Sequence, residues 1–512
     1  MNTTLILSIV IAYFVLLLVV AYFTSRNSNN DSFFIGNRNS NWMLVSFGMI
    51  GTSLSGVTFI SVPGTVGKMT SGAYPFGAFE YYMLVIGFFL GYFVVAAILL
   101  PLYYRMNLTS IYTYLGKRFN VEAHKVGSIF FIISRAIGAT ARLFLVINVL
   151  QIFLLEPLGV PFWLTAAILL FMVLLYTFEG GVKTIVFTDT LQTSFMIISL
   201  IACIGFILSK LDLSVGQAMT QLGDKGYARL FNLDPNSKTF FLKTILGGAF
   251  ITISMTGLDQ EMMQKNISVN NVKNAKKNMI TFSFILLLVN FAFLLLGGLL
   301  YLYAEKEGGF YGDGSFFLHE GGANVMGDDI FPALSLQGHF PMIISIIFSI
   351  GLISALFPSA DGALTAVTSS FCVDLLGIKE KNEWSEQQKK KIRMRVHLTF
   401  TLIFFLLIML FKVINNKGIV YLIMEIAGYT YGPLLGLFAF GIFTKRNIIT
   451  KYSILAVTLI APALTYLIHY FIGKYTSYQI GVELIILNGF ITFLGLWAVS
   501  QPKKDLKAVR SL

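Results

Sequence analysis

Three carboxylates lie within long apolar stretches of the sequence, where a charge is costly to bury. Glu80 is near the start of one stretch, Asp189 closely follows a Gly-Gly pair, and Asp361 lies deep in another stretch. A carboxylate at membrane depth requires a cation, such as Na⁺, a proton or a basic side chain. These residues indicate cation binding, and for Glu80 a position near the outer headgroups is the alternative.

Two arginines occur seven positions apart in a further apolar stretch. Arg135 and Arg142 are separated by about two helical turns, so they share one helix face. An arginine in such a stretch normally faces the protein interior or an aqueous cavity and pairs with an anion. Arg142, the deeper of the two, is a candidate receptor for a substrate carboxylate, which guanidinium binds as a bidentate fork. A structural ion pair is the alternative.

Residues 48–58 read Gly-Met-Ile-Gly-Thr-Ser-Leu-Ser-Gly-Val-Thr and lie inside a long apolar run, 42–66. This stretch is too polar and too glycine-rich for an ordinary lipid-facing helix. Irregular backbone at membrane depth persists only where protein or a water-filled cavity satisfies it. We therefore expect a broken helix beside a binding site, although a helix-packing face of small residues is also compatible with the pattern.

A second polar interruption occurs at residues 247–265, which contain Gly257, Asp259 and Gln260. Interrupted segments at matching positions of two halves of a transporter indicate a binding site near the midplane of the membrane. Asp259 and Gln260 are therefore candidate substrate ligands. A third irregularity is Pro358, three residues before Asp361, because the carbonyls freed by a proline need new partners. A packing kink is the alternative there.

These residues must be positioned by membrane helices, because 56% of the 512 residues are hydrophobic and only 12% are charged. About thirteen apolar segments are long enough to cross a bilayer. They are residues 4–24, 43–66, 76–103, 126–155, 161–178, 185–208, 241–264, 278–303, 339–375, 396–414, 418–443, 451–472 and 480–499.

The net charge of +12 is spread over alternate connections. This distribution follows the positive-inside rule and excludes nucleic acid as the expected partner. It predicts an external N-terminus, a cytoplasmic C-terminus and a location in the plasma or inner membrane. We expect the first segment to be a retained helix and not a cleaved signal peptide. The basic residues counted as cytoplasmic include Arg26, Arg38, Arg105, Lys117, Arg118, Lys183, Lys265, Lys273, Lys379, Arg393, Lys445 and Lys503.

No pattern typical of an enzyme is present in the sequence. The two cysteines, Cys203 and Cys372, fall inside predicted spans, and the five histidines lack metal-ligand spacing. No Walker loop, zinc-binding helix or nucleophile elbow occurs. We therefore expect a protein without catalytic residues. Short loops suggest no docking site for an obligatory protein partner, so the expected partners are a small solute, a cation and membrane lipid.

The motifs resemble those of the sodium/solute symporter family across about residues 5–500. The most specific are Gly180-Gly with Thr188-Asp189 and Gln192, supported by Asp31 to Arg38, Gly257 to Lys265, and Ser359 to Asp374. This resemblance implies an all-α polytopic protein with a leucine-transporter-like inverted repeat of five plus five helices and flanking helices. The implied division is 1–42, an extra helix and cytoplasmic loop; 43–208, the first repeat; 241–443, the second; and 444–512, two helices and a tail.

The resemblance also implies Na⁺-driven uptake by alternating access. In this family the main Na⁺ site uses backbone carbonyls and hydroxyls, which correspond here to Gly51, Leu54, Ala355, Pro358 and Ser359. Pro358 departs from the pattern because it stands where a hydroxyl residue is usual. Asp361 lies where sialic acid transporters have a serine in a second Na⁺ site, whose aspartate matches Asp189.

For the substrate, Ser53, Ser55 and Thr58 resemble the residues that contact substrate in the sialic acid transporters. Arg142 corresponds to the carboxylate-binding arginine of that branch. The resemblance thus favours an acidic sugar or another small carboxylate, with Glu80, Asp259 and Gln260 as further candidate ligands.

Alternative functions remain open at this point. They are symport of a neutral sugar or small monocarboxylate, coupling to H⁺ through Asp189 and Asp361, and a sensor or receptor built on a transporter fold. A sensor of that kind usually carries a cytoplasmic signalling domain, whereas few residues follow Trp497.

Overall fold

The computed structural model describes residues 3–25, 33–34, 38–67, 76–310, 316–317, 327–414, 419–448, 450 and 452–502. Parts of the predicted Asp31 to Arg38 motif, Arg26 and the basic tail that includes Lys503 lie outside these residues.

Helices account for nearly all of the described chain. The first nine are α1 (Thr3–Ser25), α2 (Trp42–Ser53), α3 (Gly56–Gly64), α4 (Tyr81–Arg105), α5 (Thr113–Arg118), α6 (Val121–Leu158), α7 (Phe162–Leu211), α8 (Val215–Asp224) and α9 (Phe241–Gly257). The others are α10 (Gln260–Ile267), α11 (Val272–Glu307), α12 (Ile330–Leu336), α13 (Met342–Leu375), α14 (Glu386–Ile414), α15 (Ile419–Phe443), α16 (Ser453–Tyr475) and α17 (Leu484–Ala498).

The described strands are short. Gly309–Phe310 pairs with Phe316–Phe317, and Asn447–Ile448 pairs with Ser500–Gln501, both antiparallel.

The helices match the apolar pattern of the sequence. In the described chain, eight helices are long and apolar enough to cross a membrane, and two bent pairs, α2/α3 and α9/α10, bring this number to ten. Three shorter apolar helices, Ser8–Thr24, Phe162–Thr177 and Leu484–Ala498, correspond to the remaining predicted segments. The prediction of about thirteen apolar helical segments is confirmed.

The first break lies between α2 and α3, whose axes differ by 53°. Leu54 (φ −86°, ψ 75°) and Ser55 (φ −75°, ψ 178°) leave the helical conformation there. The break is tightly enclosed, since a Cβ at Gly51 would meet Thr193, and one at Gly56 would meet Val146. The small residues at these positions therefore allow both features that the sequence suggested, a helix break and close helix packing.

The second break lies between α9 and α10, where the axes differ by 64°. Asp259 caps α10 by accepting from the backbone amides of Glu261 and Met262. The preceding carbonyls of Gly257 and Leu258 accept hydrogen bonds of 2.8 Å from the hydroxyls of Tyr103 and Tyr112. Protein groups thus satisfy the backbone where the helix ends, as burial requires.

Two other irregularities position the site. Helix α7 is kinked at Gly181 (φ 56°, ψ −152°), which separates Phe162–Thr177 from Thr184–Leu211. Helix α13, by contrast, continues through Pro358. It packs against α7, α6 and both halves of the first break. These contacts bring the residues around Asp189 and Asp361 to one central region.

The kink in α7 yields a first prediction. Gly181→Ala places a side chain in backbone space that essentially only glycine occupies, and its Cβ would collide with Phe33. A conformation of this kind costs of order 1–3 kcal/mol. We expect a clearly lower midpoint of thermal unfolding in detergent for Gly181→Ala. The matched control is Gly205→Ala on the same helix, where a Cβ meets open space; equal midpoints for the two variants would contradict the assignment.

Candidate functional site

A central cavity opens beside the first helix break. The lining side chains come from α2, α3, α4, α6, α9, α10, α11 and α15: Thr52, Ser53, Leu54, Ser55, Val57, Thr58, Tyr81, Phe88, Tyr92, Arg135, Arg142, Ile251, Thr252, Met255, Thr256, Met262, Leu286, Asn290, Ile423 and Met424.

The first break contributes hydroxyl groups and a helix N-terminus to this cavity. Ser53, Ser55 and Thr58 line it, as the sequence analysis expected of substrate ligands. Ser55 is the N-cap residue of α3, yet its side chain forms no capping hydrogen bond. The first amides of a helix and its dipole favour a negative group nearby. This wall therefore suits a ligand that has hydroxyls and an anionic end.

The two arginines of α6 have different surroundings. Arg135 forms an ion pair with Glu261, and its Nη1 lies 3.8 Å from Oδ2 of Asp259. Arg142 lines the cavity, and among the described residues no carboxylate lies within 4.0 Å of its guanidinium. The structural ion pair that was the alternative for Arg142 is instead made by Arg135.

The cavity lining also contains residues that the sequence analysis did not select. Thr252 and Thr256 of α9 are one helical turn apart, and Asn290 of α11 also lines the cavity. Tyr92 is within hydrogen-bonding reach of Ser53 and of both threonines. The four-residue spacing of the threonines inside the interrupted 247–265 stretch was the available signal for these residues.

Buried oxygen atoms without a protein partner occur on α7 and α13, the two helices that pack against α2 behind the break. In the described part of the chain, Asp189 Oδ1, Thr193 Oγ1 and Ser359 Oγ are buried and accept or donate no hydrogen bond. A Cβ on Gly51 would lie 3.6 Å from Pro358, and one on Gly56 would lie 4.0 Å from the Ala355 carbonyl. The neutral hydroxyl oxygens of Thr193 and Ser359 are donors of the kind that suits a hard cation such as Na⁺.

Six buried charged side chains lie in this region: the carboxylates of Asp189, Asp259, Glu261 and Asp361 and the cationic groups of Arg135 and Lys265. The Nζ of Lys265 donates to Asp189 Oδ2 at 2.6 Å and lies 3.8 Å from Glu261 Oε1. The hydroxyl of Tyr431 donates to Asp259 at 2.7 Å. The prediction that Lys265 is a charge of a cytoplasmic loop is wrong. Lys265 lies in helix α10, and its side chain is only 3% exposed.

Asp361 differs from the other three carboxylates. Its Oδ2 accepts a hydrogen bond of 2.8 Å from the hydroxyl of Tyr176, and its Oδ1 accepts one of 2.5 Å from the Gly362 amide. No basic nitrogen of the described residues lies within 4.0 Å of it.

Three of the predicted substrate ligands do not line the cavity. Glu80 accepts hydrogen bonds from Arg229 at 2.5 Å and from Thr239 at 3.0 Å. Asp259 caps α10, and Gln260 is bonded to the backbone of Thr109 and Ile111. In this conformation their polar atoms hold neighbouring segments together.

Comparisons with known proteins agree with this arrangement. The family model described as "Sodium:solute symporter family" matches residues 33–452. The sodium/sialic acid symporter NanT of Aliivibrio fischeri is 25% identical over 484 residues, covering 92% of this chain and 89% of the relative. The sodium/sialic acid symporter SiaT of Proteus mirabilis is 24% identical, covering 83% and 81% of the two chains.

Solved structures show the same fold. A Na⁺-coupled sialic acid symporter in a substrate-bound outward-open state superposes with a TM-score of 0.78 at 18% identity and covers 96% of both chains. Mhp1, a nucleobase-cation-symport-1 family transporter, gives a TM-score of 0.52 at 12% identity, covering 92% and 94%. The predicted leucine-transporter-like, all-α fold is therefore confirmed.

Two broken helices that meet at a central cavity define a multi-pass membrane transporter. More specifically, the chain belongs to the sodium:solute symporter family, so it carries its solute together with Na⁺. The family assignment and the expectation of Na⁺ as the coupling ion are confirmed.

The buried ion pair of Arg135 yields a second prediction. Arg135→Gln leaves the buried carboxylate of Glu261 without its main partner, and breaking such a pair typically costs about 3–5 kcal/mol. We expect a large drop in the thermal unfolding midpoint. The control is Lys225→Gln, which breaks the more exposed pair with Glu305, where the expected change is about 0–1 kcal/mol. Similar midpoints for both variants would exclude a dominant role for the buried pair.

Proposed function

We propose that this symporter imports a sialic acid, or a closely similar carboxylate-bearing sugar, together with Na⁺. The single observation that carries this proposal is Arg142, a guanidinium that faces the cavity without a protein carboxylate beside it. A charge inside a membrane protein normally pairs with an anion, so a substrate carboxylate that enters the cavity is a suitable counter-ion for Arg142. The two relatives named as sodium/sialic acid symporters support the same substrate class.

The remaining cavity walls suit the hydroxylated part of such a substrate. Ser53, Ser55 and Thr58 offer hydroxyls from the first break, and Thr252 and Asn290 offer polar groups from α9 and α11. A site that hydrogen-bonds a polar substrate discriminates against analogues without those groups, because its own buried polar atoms would lose their partners.

We place the transported Na⁺ behind the break, between α2 and α13. Its proposed ligands are the carbonyls of Gly51, Leu54 and Ala355 and the hydroxyl of Ser359. The hydroxyl is supported as a ligand because it is buried and has no protein partner. Pro358 has no side-chain oxygen and contributes shape, while Asp361 is a buried carboxyl group on the same helix, α13. The sequence-based set also counted Pro358, Asp189 and Asp361 as ligands.

One structural element connects the two ligands. The break between α2 and α3 carries the proposed Na⁺ carbonyls on one side and lines the substrate cavity with Ser53 and Ser55 on the other. Na⁺ that fixes the break also fixes the substrate wall. Each ligand then raises the affinity of the other by the same factor, as linkage requires.

The membrane arrangement follows from the same assignment. We propose a protein of the plasma or inner membrane with an external N-terminus and a cytoplasmic C-terminus, in which residues 43–208 and 241–443 form the two inverted repeats. Transport proceeds by alternating access and leaves the substrate chemically unchanged. Symport of a neutral sugar and coupling to H⁺ are the outcomes that the following experiments distinguish from this proposal.

The substrate assignment is tested by uptake into proteoliposomes of radiolabelled N-acetylneuraminate, glucose, proline and lactate, with an inward Na⁺ gradient or with K⁺ in its place. Arg142→Gln should reduce N-acetylneuraminate uptake about 10- to 150-fold, since a hydrogen bond to a charged group contributes about 1.5–3 kcal/mol. Stabilisation by Na⁺ should persist in this variant. Arg395→Gln, at an exposed position of α14, is the control.

Uptake of a neutral sugar alone would refute the carboxylate assignment while leaving Na⁺ symport in place. Uptake that is unchanged when K⁺ replaces Na⁺ would refute Na⁺ coupling for this chain.

The cation site is tested with Ser359→Ala. Loss of the hydroxyl should raise the Na⁺ concentration for half-maximal uptake several-fold, because one oxygen ligand is removed. The preference among substrates should not change. Ser349→Ala is the matched control on the same helix, since its hydroxyl donates to the Ser345 carbonyl of that helix. An unchanged Na⁺ dependence would remove Ser359 from the site.

A further inference from the structure

The ammonium group of Lys265 sits in a shell of oxygen atoms at the first helix break. Its Nζ lies 2.6 Å from Oδ2 of Asp189 and 2.5 Å from Oγ1 of Thr52. The Thr52 hydroxyl in turn lies 3.2 Å from the same carboxylate oxygen. Glu261 Oε1, at 3.8 Å, adds a second negative group. A monovalent cation is thus held by carboxylate and hydroxyl oxygens.

This ammonium joins three elements of the site. Lys265 belongs to α10, directly after the second break, whereas Asp189 is on α7 and Thr52 is in the last turn of α2. Thr52 follows Gly51, a residue of the proposed Na⁺ site. The lysine therefore reaches the border of that site, and its charge is attached to the protein and cannot be transported.

The charges of the region distinguish Asp189 from Asp361. Asp189 already has a cation at hydrogen-bonding distance. Asp361 accepts only from Tyr176 and from the Gly362 amide, and no basic nitrogen in the described chain lies within 4.0 Å of it. A free Na⁺ beside Asp189 would be repelled by the ammonium group at hydrogen-bonding distance, whereas one beside Asp361 would meet a carboxylate that has no ion-pair partner within 4.0 Å.

We propose that Lys265 is a built-in cation that takes the place of a transported Na⁺ at Asp189. The chain then carries one Na⁺ fewer for each substrate than it would with a neutral residue at position 265. This inference rests on the proposed Na⁺ symport, and it names the residue that sets its stoichiometry. It also gives Asp189 a different part from the one the sequence suggested, as partner of Lys265 and not as a ligand of transported Na⁺.

The test counts Na⁺ ions in the full-length protein. Saturation binding of ²²Na⁺ to purified protein requires no knowledge of the substrate. The ratio of ²²Na⁺ to N-acetylneuraminate flux in proteoliposomes gives the transported number. Lys265→Gln removes the tethered charge and leaves the Asp189 and Thr52 oxygens available. We expect both the bound number and the flux ratio to rise by one relative to the unmodified protein.

A paired variant provides the second measurement. Asp189→Asn with Lys265→Met removes both charges, so no buried charge loses its partner within this pair. Because the ion pair holds no Na⁺ in the proposal, this double variant should keep the Na⁺ number of the unmodified protein. Lys273→Gln, at an exposed position near the start of α11, is the control and should also be unchanged.

Two results would overturn the inference. One is an unchanged Na⁺ number in folded Lys265→Gln. The other is a loss of one Na⁺ in the double variant, which would show that Asp189 coordinates transported Na⁺ beside the lysine. If Lys265→Gln does not fold, the double variant decides alone. Failure of Na⁺ symport itself is recognised separately, because the unmodified protein would then bind no ²²Na⁺ and take up substrate without it.

Discussion

Backbone amides and carbonyls cannot remain unpaired inside a membrane, and this requirement governs the whole structure. Two helices of the chain are nevertheless interrupted near its centre. At the second break, tyrosine hydroxyls of α4 and of the following segment donate hydrogen bonds to the free carbonyls. The Asp259 side chain accepts hydrogen bonds from the first amides of α10. The first break instead borders a cavity on one side and a group of unpartnered buried oxygens on the other. In the proposed function, substrate occupies the cavity side of this break and Na⁺ the other side.

Buried charge imposes the second constraint. Placing carboxylates in this interior is tolerable only when each has a counter-ion or several hydrogen bonds. Arg135 pairs with Glu261 and lies near Asp259, and Lys265 pairs with Asp189. These ion pairs connect α6 and α7 to the second break, and the hydrogen bond from Lys265 to Thr52 adds α2. Among the described charged residues of this region, Asp361 and Arg142 have no ion-pair partner within 4.0 Å. Asp361 lies beside the proposed cation site and Arg142 lies in the cavity. These positions suit Na⁺ and an anionic substrate, respectively.

These two constraints also explain why Na⁺ and substrate are coupled. Gly51 and Leu54 of the proposed Na⁺ site and Ser53 and Ser55 of the substrate cavity belong to one interrupted helix. Helices α13 and α7 enclose this helix closely. A packed interior does not deform continuously, so a shift on one side of the break is transmitted to the other. The glycines at positions 51 and 56 permit this close contact and leave little space for independent movement.

The helical segments, both breaks and the intramembrane charged residues could be predicted from the sequence, because apolar length and polar residues within apolar stretches are local properties. The family resemblance suggested Ser53, Ser55, Thr58 and Arg142 as substrate ligands, and all four line one cavity. The ion pairs, by contrast, could be assigned only from the folded structure. It paired Arg135 and not Arg142 with a carboxylate, buried Lys265 against Asp189, and engaged Glu80 and Gln260 outside the cavity. Such pairings depend on distances between helices far apart in the chain, and helical periodicity within one segment carries no information about them.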